Sequence, residues 1–443
     1  MIRGGRINLR AAARYATLYL LLVGYGAIYE YFYEHQLTPL FHDMFTAYDP
    51  ARAGIYTAIL FLTPLAILPI GTTFRAAGQF VAGSLSVLLF IPIPIVFVPM
   101  PSVGEYWEIY GLLWTGYFIL CSLSSLNIDI GAGRLTDAEF KGVLKVVFVI
   151  VGLGMLWVLA TNRVDLVGIR HAEGVRSETT VSGLQGYLLP SYVTCFGGLV
   201  LAAAIAYRRY YLIPLAIIGY MICYATLEER TAAIMPFWVA YFYLAQKYFF
   251  RDSVTRYVLC IMAPFLVLVG AAAIVGTSNQ KSVFYTLFTL ATYRVFSVPA
   301  IGFNLYQNFF HFNPHTYWSH ITLVSKFVDS PYDQPLGQVM EETYRMSSYN
   351  VSFLETDGLA AAGIFSLPWI CAVFGAVLVA VNSCARGLDV RILALLMAGS
   401  SIVLMDTGIG PGLLTNGLAL LAVLLLLAPR RPPWTGTSRR SLS

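Results

Sequence analysis

Charge is what this sequence has least of. Only 12% of its 443 residues are Asp, Glu, Lys or Arg, where a soluble domain carries about a quarter, so a soluble enzyme of this size does not fit. Cysteine is also sparse. Cys121, Cys195, Cys223, Cys260, Cys371 and Cys384 stand singly, mostly within apolar runs, which excludes a disulfide framework or a cysteine metal cluster. The net charge of +5 is too small to coat a nucleic acid. There is no phosphate-cradling glycine loop, zinc signature, heptad run or Asp-x-Asp motif, so neither metal nor cofactor is expected. No six-plus-six or inverted repeat is visible, and mid-depth carboxylates are scarce. Both features would be expected of many secondary transporters and proton-coupled pumps.

Apolar residues are present instead, at 58% of the chain. A membrane helix needs about 20 mostly apolar residues to cross about 30 Å of hydrocarbon. About twelve windows qualify: Tyr15–Tyr31, Gly54–Ile70, Phe80–Met100, Tyr106–Leu126, Val143–Ala160, Tyr187–Ala206, Tyr211–Leu227, Ala232–Phe250, Tyr257–Gly276, Leu359–Val381, Ile392–Ile409 and Gly412–Ala428. Pro92, Pro94 and Pro99 predict a kink or break in the third. Only Gly410 and Pro411 separate the last two, the weakest boundary of the set. The expected fold class is therefore all-α, a polytopic integral membrane protein. Residues 1–276 hold nine spans with outer loops at 32–53 and 161–186. Residues 277–358 form a large helical outer loop, 359–430 three further spans, and 431–443 a tail.

Lysine and arginine favour cytoplasmic loops. With both termini inside, 19 of the 28 cations and only five of the 23 acids fall on the cytoplasmic side. The larger polar loops then lie outside, where chemistry is expected. Cations there run against the bias, so each asks for a reason. Arg163, Arg170 and Arg176 occupy one loop, Arg230 follows Glu228 and Glu229 at a membrane boundary, and Arg294 and Arg345 belong to the large loop. Guanidinium groups bind phosphate oxygens in a bidentate fork. Pairing with outer acids is the competing role for Arg170, Arg176 and Arg230. Arg294 has no acid between Val283 and Phe312. His311, His315 and His320 crowd one stretch that Pro314 interrupts, which disfavours a metal and suits a general base. An interfacial belt with Tyr317 and Trp318 is the alternative. Glu34, His42, Asp43 and Asp49 in the first outer loop are either solvated connectors or a source of a catalytic carboxylate.

The passage NVSFLETDGLAAAGIFSLP, with Asn350, Phe353, Asp357, Gly358, Ala360 and Gly363, resembles the end of the large outer loop in O-antigen polymerases of the Wzy type. Tyr293-Arg294-Val295-Phe296 followed by Pro299 and Gly302 is similar to the start of that loop, and Glu229-Arg230-Thr231 to the start of the matching span. Arg163 and Gly174 keep an Arg-to-Gly spacing similar to that of the family's catalytic loops, while Leu305 stands where Arg294 would need its glycine. The resemblance implies a GT-C-like glycosyltransferase of the bacterial inner membrane, acting on undecaprenyl-pyrophosphate-linked oligosaccharides, with a Wzz-like chain-length regulator as a common partner. It places pyrophosphate binding on Arg163, Arg170, Arg230, Arg294 and Arg345. The base is expected among His315, His320, Asp357 and Glu355, although Asp357 could instead cap the tenth span. Tyr293, Tyr317 and Trp318 are candidates for sugar stacking. An O-antigen ligase and a lipid-linked oligosaccharide flippase or other transporter are the competing functions.

Overall fold

The computed structural model describes residues 9–40, 47–99, 103–130, 134–162, 183–227, 230–276, 283–321, 324–344 and 351–429. Among them the chain is helical throughout, with one isolated bridge between Thr73 and Ser253 and no strand. Each apolar window contains helix. Seven helical stretches are long and apolar enough to cross a membrane: Leu9–Leu40, Pro50–Ile70, Gly78–Phe97, Asp137–Thr161, Gln185–Ala206, Val254–Val275 and Ile364–Ala385. Leu212–Thr226, Val390–Val403 and Leu418–Leu427 are shorter apolar helices. Val103–Leu123 and Arg230–Ala245 occupy the remaining two windows.

Local chemistry explains the ends. Thr136 accepts from the Glu139 amide while the Glu139 carboxylate accepts from the Thr136 amide, a capping box that starts Asp137–Thr161. The outward side of that helix is apolar, with Val146, Val149, Ile150, Leu153 and Leu156 all exposed; in water such a surface would drive association. Gly78–Phe97 lies at the centre, buried along its length. It is irregular near its prolines: a π turn at Ser86–Phe90 precedes Pro92, which opens the short helix Pro92–Phe97 from the first turn.

Aromatic rings fill the core. Phe74, Phe80 and Tyr257 interlock at centroid distances of 4.1–5.3 Å, and Phe90 stacks on Tyr117 at 3.9 Å. Polar side chains serve mainly to satisfy helix ends. Asn382, near the end of Ile364–Ala385, accepts the Gly78 amide at 2.5 Å and donates to the Ser124 and Leu126 carbonyls at 2.8 Å. One buried amide side chain thus closes orphan groups on two other segments.

One boundary differs from the sequence expectation. The tenth window was expected to open at Leu359, but residues 359–362 end the preceding helical run, Gly363 interrupts it at φ +73°, and the long helix begins at Ile364. The 277–358 segment is helical in part. Phe284–Val295 and Val298–Phe312 form an apolar pair bent by 44°. The second helix is packed into the bundle, with Phe303 against Phe97 and Asn304 donating to the Val96 carbonyl at 3.2 Å. Its polar residues are few and spaced, so its apolar face outweighs the polar loop that follows.

Asn382→Ala would strand one buried amide and two carbonyls. We expect a loss of about 2–4 kcal/mol in stability, read as a lowered thermal midpoint of the detergent-purified protein. An unchanged midpoint would show that the clamp contributes nothing.

Candidate functional site

Two stretches nearly forty residues apart meet at one end of the bundle. The first is the loop His315–Ile321, released from the helix Val298–Phe312 by Asn313 and Pro314. The second is the π turn Leu354–Leu359 with the short helix Ala360–Ala362. A three-residue helix leaves its carbonyls without intrahelical partners. The loop supplies them: Thr316 N–H donates to the Ala360 carbonyl at 2.7 Å and Tyr317 N–H to the Ala361 carbonyl at 3.0 Å. Trp318 Nε1 adds a bond to the Asp357 carbonyl at 3.0 Å. Tyr317 and Trp318 consequently sit at φ of 48° and 62°, left-handed backbone that costs side-chain-bearing residues about 1–2 kcal/mol each. Gly363, at φ +73°, closes the elbow. A Cβ there would also stand 3.2 Å from the His315 ring, so a side chain is opposed twice.

Asp357 lies at the junction and is buried, with 2% of its side chain exposed against 18% for His320. One carboxylate oxygen accepts from His320 Nε2 at 3.0 Å and the other from the Ile409 amide at 2.6 Å. Asp357 therefore does cap a helix, but Ile409–Leu413 rather than Ile364–Ala385. Gly408 makes this possible, since a Cβ there would fall 2.8 Å from the carboxylate. With Nε2–H committed to Asp357, neutral His320 turns its Nδ1 lone pair toward the Thr316 hydroxyl at 3.3 Å. That hydroxyl has a second acceptor, the Ala360 carbonyl at 3.2 Å. It can donate to Nδ1 when the ring is neutral and swing to the carbonyl when Nδ1 carries a proton. The arrangement is a base oriented by a carboxylate, able to take a proton from an approaching hydroxyl.

Glu355 faces another way. It is fully buried; one oxygen accepts from the Ser352 hydroxyl, and the other, Oε1, has no partner among the described residues. Tyr117 and Tyr306 lie within reach of its charge. Burial pushes its carboxyl up to about 7, with the Ser352 hydroxyl pulling against that rise. His315 also stands apart from the pair. It stacks on Phe310 at 5.9 Å, and its Nδ1 has no partner among the described residues.

Of the expected aromatic platforms, Trp318 and Tyr317 are exposed beside the pair, while Tyr293 is partly buried on the π turn Thr289–Val295. Arg294, on that same turn, is exposed. Arg163, Arg170, Arg176 and Arg345 lie outside the described residues, as do Glu228, Glu229, His42 and Asp43. Arg230 opens Arg230–Ala245 with its side chain outside them. In the first loop, Asp49 pairs with Arg52 at 3.1 Å and Glu34 with His35 at 3.6 Å, away from the dyad. No group of three metal-ligating side chains occurs among the described residues. Thr316, Ser352 and Gly408 are site residues that the sequence reading did not single out. Ser352 and Gly408 stood in the quoted NVSFLETDG passage and in the glycine-rich TGIGPG boundary, whereas Thr316 carried no signal of its own.

Glu355 supplies a pH prediction. Its folded value of about 7 lies above the ordinary 4.5. The stability contributed by the neutral buried acid is therefore full below about pH 4.5 and lost as pH rises through about 7. Glu355→Gln should abolish that loss, worth about 3 kcal/mol at most. In thermal scans from about pH 5 to about pH 8, the variant should gain steadily on wild type; parallel curves would contradict a neutral Glu355.

No family model, curated protein or solved structure matches the chain.

Proposed function

We propose that this protein is an inner-membrane glycosyltransferase that polymerises lipid-linked oligosaccharide repeat units at the outer face. It would have twelve spans and both termini in the cytoplasm. In this reading the growing glycan moves from undecaprenyl pyrophosphate to the non-reducing end of the next lipid-linked unit, without a metal. What carries the proposal is the His320–Asp357 pair, held at 3.0 Å beside two exposed aromatic rings. His320 takes the proton of the acceptor hydroxyl, Asp357 fixes the tautomer that leaves Nδ1 available, and Trp318 and Tyr317 stack on sugar faces. Arg294, with Arg163, Arg170, Arg230 and Arg345, would hold the pyrophosphate, where preplaced cations stabilise leaving-group charge. A chain-length regulator is the expected protein partner. The resemblance of the 350–363 passage and of the segment around Arg294 to Wzy-type polymerases supports the same assignment.

A second reading draws on Glu355. A buried carboxyl that gains and loses its proton near neutrality, next to a bent helix pair, is what a proton-coupled lipid-linked oligosaccharide flippase or other transporter would use. Transport predicts that Glu355→Gln is inactive and His320→Ala active; polymerisation predicts the reverse.

Asp357→Asn sharpens the test. The Ile409 amide requires an acceptor, so the new amide nitrogen would face His320 and force the opposite tautomer, with Nδ1 protonated. A surface-glycan gel from a deletion strain should regain its ladder with wild type. With Asp357→Asn or His320→Ala it should show acceptors capped by a single unit, turnover falling by about a hundredfold or more. Lipid-linked polymer accumulating without attachment in the deletion would instead identify a ligase. A ladder unchanged by deletion would sink both glycan functions.

A further inference from the structure

A groove far from the dyad is bounded by four helices. It holds about 500 Å³, open space at its mouth included, and lies among Asp137–Thr161, Gly197–Ala206, Val390–Val403 and Leu418–Leu427. Phe140, Ala203, Ile392 and Leu425 represent its walls, which are apolar except at the Tyr207 hydroxyl. That hydroxyl is turned to the rim, where it donates to Asp137 at 3.4 Å, and the Lys141 ammonium lies 4.8 Å from the Tyr207 ring centre. The Leu135 amide donates to the Leu427 carbonyl, bringing Arg134 to the same rim.

The stretches 134–145, 207–209 and 386–391, from which Phe140, Leu144, Tyr207 and Leu388 line the groove, carry seven cations and three acids; Lys141 pairs with Asp137 and Arg386 with Asp129. The chain also retains a cation where glycine would be easier. Arg208 ends Gly197–Ala206 in a left-handed conformation, φ 53°, as the Arg209 amide turns back to the Ala204 carbonyl at 2.8 Å. This is the cap position that glycine usually fills. A dry groove with a net-positive rim matches an amphiphile with an apolar chain and an anionic head.

We propose that this groove binds an acidic glycerophospholipid of the cytoplasmic leaflet. One acyl chain lies against Ala203 and Leu425, and the phosphate lies at the rim near Lys141 and Arg208. The leaflet follows from the cation bias of the loops; the proposal is independent of the glycan function.

The test uses full-length protein in detergent with phosphatidylglycerol or phosphatidylcholine of the same acyl chains, read by native mass spectrometry and thermal unfolding. Phosphatidylglycerol should be retained and should raise the midpoint saturably, with phosphatidylcholine several-fold weaker. Ala203→Phe fills the groove and should abolish retention of both. Arg208→Gly relieves the left-handed backbone, so it should fold at least as well as wild type yet hold phosphatidylglycerol at least threefold more weakly. That variant decides the matter if Ala203→Phe does not fold. Equal effects of the two lipids, or undiminished phosphatidylglycerol binding by Arg208→Gly, would overturn the proposal.

Discussion

Asp357 has two carboxylate oxygens and gives one to the His320 imidazole and the other to the Ile409 amide. In a nearly dry setting neither bond competes with water, and a buried carboxylate without such partners would be costly. This one side chain therefore joins the loop after Val298–Phe312, the elbow before Ile364–Ala385 and the break between the last two apolar helices. The left-handed backbone at Tyr317 and Trp318 is held beside it by bonds to the Ala360, Ala361 and Asp357 carbonyls, since such strain persists only where neighbouring bonds over-determine the conformation.

Helix irregularity is distributed with the same economy. The π turn Leu354–Leu359 carries Glu355 and Asp357, and the π turn Thr289–Val295 carries Arg294. A wider turn shifts the phase of side chains along a helix, and here two carboxyl groups only two residues apart are both buried toward different partners. Asp357 is matched by two donors. Among the described residues Glu355 is matched on one oxygen only, and burial raises its affinity for a proton. The two carboxyl groups thus stand in different surroundings, one bonded to an imidazole and a helix amide, the other enclosed in the interior.

Much of the architecture was legible in the residues. Apolar windows became helices because apolarity over about 20 residues is a local property. Pro92 opens a new helical segment in the third window because a missing N–H acts wherever the residue is placed. His320 and Asp357 were both visible as candidates, but only as members of a larger set with His315 and Glu355. The start of the helix in the tenth window was misplaced because Leu359–Gly363 is as apolar as the helix that follows, and nothing in hydropathy marks the positive φ at Gly363.

What the sequence determined by itself was a helical chain made for an apolar surround, with its polar chemistry confined to a few segments. That follows from composition and period, which act residue by residue. Which histidine meets which carboxylate was decided only by the tertiary structure. Thr316, His320, Asp357, Gly408 and Ile409 come together through orphan carbonyls, a glycine-sized gap and one shared carboxylate. Those constraints are satisfied across distant parts of the chain and have no local period to read.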